Sequence, residues 1–185
     1  EENKEACDAI VSMYAAKVIE KEANGRRRRY VKLVARNGSE VLADSHQFPC
    51  RPWEICGRMF DVLRRVSKQG NERAADIVVS QKRVDEVFSV EVGYVDFVDE
   101  NHGHIHVYDS QSRHFVALKS VHSALNITAG SYVRFCPIIA NGDHFKWAAI
   151  VGLMDKYEGR KAFGVYEAKV EYANPKEKYI RYSLE

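Results

Sequence analysis

What most constrains the fold of this 185-residue chain is that it repeats itself. Tyr30-Val31-Lys32-Leu33-Val34-Ala35-Arg36-Asn37-Gly38 and His104-Ile105-His106-Val107-Tyr108-Asp109-Ser110-Gln111-Ser112 share one apolar alternation at an offset of 74 residues. Val31 and Leu33 fall on Ile105 and Val107, and the Asn37-Gly38 turn on Gln111-Ser112. The same offset carries Val41 onto Phe115 and Ala74-Ala75 onto Ala148-Ala149, while Gly57 and Gly130, each opening an alternating run, are 73 apart. A third start follows: Tyr14-Ala15-Ala16-Lys17-Val18 resembles Tyr166-Glu167-Ala168-Lys169-Val170, and Arg29-Tyr30-Val31-Lys32 returns as Lys178-Tyr179-Ile180-Arg181. Unrelated hairpins share alternation by chance, but a near-constant offset over three separate segments argues for a real repeat.

Within a unit the period is two, the signature of half-buried strands. Residues 10–20 alternate as one long strand, Ala23-Asn24-Gly25 turns, 26–35 form a second strand, 36–39 turn again and 40–43 form a third. Trp53, Cys56, Phe60 and Leu63 also fit a helical stripe. The repeat, however, lays 57–66 on 130–139, which contains Pro137 and β-branched residues, so a strand is expected, with some helix allowed in 47–55. A turn at 68–71 and a strand at 73–80 complete the unit, and 81–87 link it to the next. The second unit runs from 90 to 152 with turns at 100–103, 110–113 and 141–143, then a linker at 154–160 and a hairpin of 162–172 with 178–184.

Five short strands in about 75 residues, with Gly and Asn turns, suit a small Greek-key barrel of the oligonucleotide/oligosaccharide-binding (OB) class. The expected fold class is therefore all-β: tandem OB barrels with a C-terminal β-hairpin that begins a third. The expected units are 6–88, 89–155 and 156–185.

Composition narrows the function. With 28 basic and 26 acidic residues the formal net charge is only +2, so any pull on a polyanion must be local. No apolar run reaches the roughly 18 residues of a membrane span, and Glu1-Glu2-Asn3-Lys4-Glu5 is no signal peptide; it reads as the start of a processed or trimmed chain. Cys7, Cys50, Cys56 and Cys136 lack zinc-knuckle spacing and read as reduced thiols of a cytoplasmic protein.

The stretch Gly103-His104-Ile105-His106-Val107 concentrates the chemistry. Alternation sends Ile105 and Val107 to a core and His104, His106 and Tyr108 to the opposite face. Around it, residues 90–152 resemble a cold-shock domain. Gly93-Tyr94-Val95-Asp96-Phe97-Val98-Asp99 is similar to that family's opening strand, His102-Gly103-His104-Ile105-His106-Val107 to its first ribonucleoprotein motif, and His114-Phe115-Val116-Ala117-Leu118 to its second. Ala129-Gly130-Ser131-Tyr132-Val133-Arg134-Phe135 and Lys146-Trp147-Ala148-Ala149-Ile150-Val151 resemble its last two strands. The resemblance implies an OB barrel that binds single-stranded nucleic acid. The chain departs from it where His102 replaces the motif lysine, His104 and His106 replace two stacking phenylalanines, and Asp96 replaces a lysine.

Phe97, His104, His106 and Phe115 are accordingly the expected stacking residues, with Phe115 as a core residue the plain alternative. Lys146 and Trp147 in the closing strand are further candidates, although Trp147 could equally plug a barrel end, as could Trp53. Arg26-Arg27-Arg28-Arg29 is the strongest basic cluster; alternation puts Arg28, Tyr30 and Lys32 on one face as a phosphate-and-base surface, or leaves a solvated hairpin end. Tyr179 and Arg181 repeat that arrangement. His102, His104 and His106 are spaced for a metal, but no cysteine or carboxylate other than Asp109 completes a set, so no metal and no cofactor is expected. No catalytic arrangement stands out. The expected function is non-enzymatic binding of single-stranded nucleic acid, RNA before DNA. A protein-interaction or scaffold module is the alternative, and an accessory domain of a larger nucleic-acid enzyme a weaker one.

Overall fold

The computed structural model describes residues 9–23, 25–66, 72–121, 124–142, 146–164, 168–174, 176 and 179–184. Cys7, Asn24, the turn at 68–71, Asp143, Tyr166, Glu167, Pro175 and Lys178 lie outside these residues.

Two five-stranded sheets share one strand order. The first comprises β1 (Ala9–Ala23), β2 (Arg26–Ala35), β3 (Glu40–Asp44), β4 (Met59–Val66) and β5 (Glu72–Val79), in the order β3-β2-β1-β4-β5. The second comprises β6 (Glu91–Asp99), β7 (His104–Tyr108), β8 (Arg113–Ala117), β9 (Tyr132–Ile138) and β10 (Trp147–Leu153), in the order β10-β8-β7-β6-β9, and closes on itself. In each, three strands meander, the fourth returns to the first and the fifth comes back beside the third, which is the OB strand order. Closure of the second barrel runs through one parallel pairing, Trp147 with Phe115, and the Phe115 amide donating to the Lys146 carbonyl at 2.8 Å. The first sheet has no such ladder between β3 and β5. Side chains hold that seam instead: Gln47 donates to the Ala74 carbonyl at 3.3 Å and Arg64 to the Ser39 hydroxyl at 3.2 Å.

Residues 57–66 follow the repeat rather than the helical stripe: β4 is a strand, and helix near it is limited to 3-10 turns at Ser45–Gln47 and Pro52–Glu54. The link contains a single helical turn, α1 (Val84–Val87). The stretch 154–160, read as a linker, carries the helix α2 (Lys156–Ala162). Asp155 caps it by accepting from the Tyr157 and Glu158 amides, and Arg160 and Lys161 sit favourably in its last turn. It packs on the second barrel, where Tyr94, Tyr132 and Phe163 meet at ring separations of 5.3–6.3 Å. A separate hairpin, β11 (Ala168–Asn174) with β12 (Tyr179–Leu184), ends the described chain.

The spacing of the two sheets corrects one sequence correspondence. Val31 pairs with Ala43 and Leu33 with Val41; Ile105 pairs with Val116 and Val107 with His114. Val41 therefore matches His114, both buried, and Leu42 matches Phe115, both turned outward. The offset is 74 in the second strand but 73 in the third, because the second unit's turn is one residue shorter. A bulge also recurs in β1, β6 and β11: Lys17 pairs with Lys32, Phe97 with His106 and Tyr172 with Arg181, each directly after a one-residue shift in register.

Each sheet has its own core. Met13, Val31, Leu33, Phe60 and Val62 fill the first; Val95, Ile105, Val107, Val116, Val133 and Phe135 fill the second. A third cluster joins them. Tyr14, Ala16, Val34 and Met59 on the outside of the first sheet pack with Cys136, Ile138, Ala140, Trp147 and Ala149 on the outside of the second, and Phe88 from the link inserts between them. Burial in this junction pushes the Tyr14 hydroxyl pKa far up and the Cys136 thiol up to about 11, so neither ionises in the neutral range. Gly57, at φ 88°, lets the sheets approach closely: a Cβ there would lie 2.0 Å from Ser120 Cβ.

Among the described residues His114 is the one buried imidazole, and it lies inside the second barrel against Phe135 with rings 5.1 Å apart. Its Nε2 is 2.7 Å from Asp109 Oδ2. Partial burial opposes the Asp109 charge, but amide donation from Gln111, the His114 ring and the Ser112 amide outweigh it and hold the carboxyl below its usual range. Asp109 thus holds the buried imidazole in place; among the described residues no group of three His, Cys, Asp or Glu is placed to hold a metal.

Two outcomes follow. Gly57→Ala loses about 1–3 kcal/mol in urea unfolding, since it takes both a left-handed backbone and a clash at the junction; an unchanged midpoint would refute the close approach. Asp109→Ala costs about 1–3 kcal/mol by stripping the buried imidazole of its partner. Because the folded-state pKa of Asp109 is depressed, its contribution to stability is complete above the unfolded carboxylate range and is lost as pH drops through the folded value, and Asp109→Ala removes that share of the acid loss.

Candidate nucleic-acid interface

The outer face of the second barrel brings five aromatic rings together. Strand alternation turns His104 and His106 of β7 and Phe115 of β8 away from the core, the bulge in β6 turns Phe97 toward the same face, and β10 delivers Trp147 through its pairing with Phe115. Ring separations trace a continuous path: Phe97 to His106, 5.6 Å; His106 to Phe115, 5.0 Å; Phe115 to His104, 6.4 Å; His104 to Trp147, 5.8 Å. All are edge-on or tilted contacts, the arrangement aromatic pairs favour over a face-to-face sandwich. Phe97 is 51% exposed and the imidazoles and Phe115 are half-buried, whereas Trp147 is only 8% exposed.

Trp147 is covered from the neighbouring sheet. The ammonium of Lys17, on β1, lies 5.8 Å from the centre of its ring, a cation–π contact between the two units. Trp147 therefore belongs both to the junction and to the aromatic face. Desolvation beside these rings lowers the His104 pKa below 6.5; the Asp99 carboxylate opposes that shift, while His106 and His102 add to it. His102 stands apart from the row, in the turn before β7, with Nδ1 2.8 Å from Asp99 Oδ2. It does not share a strand face with His104 and His106.

The remaining expected residues divide. Lys146 lies beside the aromatic face, its Nζ donating to the Ser112 hydroxyl at 2.6 Å. Arg28, Tyr30 and Lys32 do share the outer face of β2, but the Lys32 ammonium is engaged with Glu40 at 2.8 Å and its side chain is only 11% exposed. Arg29 pairs with Glu20 at 2.9 Å. Trp53 plugs nothing: it is 62% exposed, with the Arg51 guanidinium 5.5 Å from its ring centre. Tyr179 and Arg181 lie in β12 opposite Asn174 and Tyr172, and their side chains are outside the described set.

Three features escaped the sequence reading. Lys17 was visible only as part of a repeat, and nothing local announces a contact with a residue 130 positions away. The burial of His114 follows from its alternation with Val116, a signal the sequence did carry. Arg65 and Arg73 sit directly opposite each other on β4 and β5, a register no spacing rule gives.

No protein-family model and no curated protein sequence matches the chain. Among solved structures it is similar to a tetrameric p202 HIN2 structure, at 9% identity over 83% of this chain and 96% of that one, with a TM-score of 0.30. It is similar to the Drosophila Unr structure CSD456 at 15% identity over 78% of this chain and 61% of that one, TM-score 0.30. A third is the Ifi202 HINa domain in complex with 20bp dsDNA, at 9% identity over 80% of this chain and all of that one, TM-score 0.27. The strand order and register of the second barrel are themselves those of an OB fold.

Proposed function

We propose that this chain is a non-catalytic module of tandem OB units, divided near residues 88 and 155, that binds single-stranded nucleic acid. One observation carries the reading: Phe97, His106, Phe115, His104 and Trp147 form an unbroken row across four strands of the second barrel. Unpaired bases stack on such faces for about 1–3 kcal/mol each and need no sequence-specific partner. A duplex keeps its bases stacked inside and has no use for the row. RNA is preferred over DNA because the ribonucleoprotein-like motifs that supply these residues resemble those of cold-shock domains. The shared bulge in β1, β6 and β11 supports reading β11–β12 as the opening of a third unit. A protein-binding role is favoured instead by Val170 and Tyr172, which expose 59% and 49% of their surface on a two-stranded sheet.

Fluorescence anisotropy with labelled single-stranded RNA, single-stranded DNA and duplex tests the proposal. Single strands bind more tightly than duplex; Phe97→Ala and Phe115→Ala each lose about 1–3 kcal/mol of binding free energy. Equal affinity of these variants and wild type would end the stacking assignment, and dimerisation in sizing runs without nucleic-acid binding would favour the protein-binding role. Affinity rises as pH falls from about 8 to about 5.5. A phosphate strand favours the imidazolium that burial disfavours in the free protein, so binding takes up protons, and His104→Gln flattens the profile.

A further inference from the structure

We propose that Arg113 and Lys146, at the β7–β8 turn, form a phosphate rail along one flank of the aromatic row, so that a bound single strand lies with its sugar-phosphate backbone on the turn side and away from Asp99. The proposal rests on the nucleic-acid-binding reading and gives that site a direction.

Two observations carry it. The first is positional. On the outer face of the second barrel, His104 pairs with Ala117, His106 with Phe115 and Tyr108 with Arg113, while Asp99 of β6 lies opposite His104. The line from Phe97 through His106 and Phe115 to Trp147 crosses the middle of this face and leaves it two unlike flanks. The turn-side flank holds Tyr108 and Arg113. Lys146 joins them, because β10 runs parallel to β8 and its Nζ reaches Ser112 of the turn. The opposite flank holds Asp99, whose carboxyl is kept below its usual range first by the donating His102 amide, at 3.0 Å, and then by the His102 ring at 2.8 Å. A polyanion laid over the rings is drawn to the first flank and repelled by the second.

The second observation is how the cations are held. The Arg113 guanidinium lies over the Tyr108 ring, 4.9 Å from its centre, and its Nε donates to the Tyr108 hydroxyl. The Lys146 ammonium donates to the Ser112 hydroxyl at 2.6 Å. Each bond engages one N–H of a group that carries several. The turn between β7 and β8 is itself fixed from inside. Asp109 is 2.7 Å from the buried His114 ring and accepts from the Gln111 and Ser112 amides at 2.6 Å each. The carboxylate of the turn is thereby committed to the core, while Arg113 and Lys146 stand exposed on the surface. A guanidinium already fixed over a ring gives up little freedom on meeting a phosphate, and its planar fork suits phosphate oxygens.

The test compares the full chain with three variants: Arg113→Gln/Lys146→Gln, Phe97→Ala/Phe115→Ala, and Lys156→Gln/Lys161→Gln on α2, which removes the same charge elsewhere. Labelled oligouridine and a labelled abasic phosphodiester strand are titrated over a range of salt concentrations. Each lost phosphate contact removes about 0.7 from the slope of log affinity against log salt, so the Arg113/Lys146 variant loses about 1.4 and binds the abasic strand most weakly. The phenylalanine variant loses oligouridine affinity with its slope kept, and the α2 variant keeps both. An unchanged slope in the Arg113/Lys146 variant, or an equal loss of slope in the α2 variant, would overturn the rail while leaving the stacking face in place. Failure of wild type to bind oligouridine would overturn the nucleic-acid reading and the rail with it.

Discussion

The packing of two sheets through their outer faces is the constraint on which the rest depends. Outward positions on a strand are ordinarily solvated, yet Tyr14, Ala16 and Val34 on one sheet and Cys136, Ile138 and Ala149 on the other are apolar and buried against each other. Both faces are buried along residues 13–16 of β1 and at Phe135 and Cys136 of β9, and Met13-Tyr14-Ala15-Ala16 shows no polar alternation. The junction also fixes how the two outer surfaces are presented. The Asn141 amide donating to the Gly38 carbonyl at 2.9 Å pins the loops at its margin.

Closure distinguishes two sheets that otherwise share strand order. β8 and β10 touch through a single backbone pairing, enough to shut the second barrel around a core that includes His114 and Phe135. In the first, β3 and β5 stop short of a ladder, and hydrogen bonds from Gln47 and Arg64 bridge them. An open seam leaves backbone and side-chain room, and cationic side chains line it. The closed seam instead brings Trp147 against Phe115.

Much of this was legible in the chain. Period-two alternation gave the strands, and the repeat decided against a helix at 57–66, where the stripe of Trp53, Cys56, Phe60 and Leu63 pointed the wrong way. The repeat also placed β2 and β7 in step, residue for residue. It slipped at Val41, because a turn one residue shorter reverses the facing of everything after it, a change that composition cannot register. The helix α2 was missed although Asp155, Glu158 and the basic pair Arg160–Lys161 mark its ends, because seven residues give too few turns to show a stripe. Grouping Phe97, His104, His106 and Phe115 needed only alternation and the motif. Bringing Lys17 to Trp147, or Arg65 to Arg73, needed the third dimension.

Trp147 belongs to two structures at once: its ring seals the apolar junction between the sheets and ends the row of surface aromatics. Surface and joint therefore share a residue. With only 8% of its surface exposed, the indole anchors the row from beneath, so the seating of the two sheets sets where the other four rings stand. The outer face is mounted on the inner joint as a dial on its spindle: what turns one turns the other.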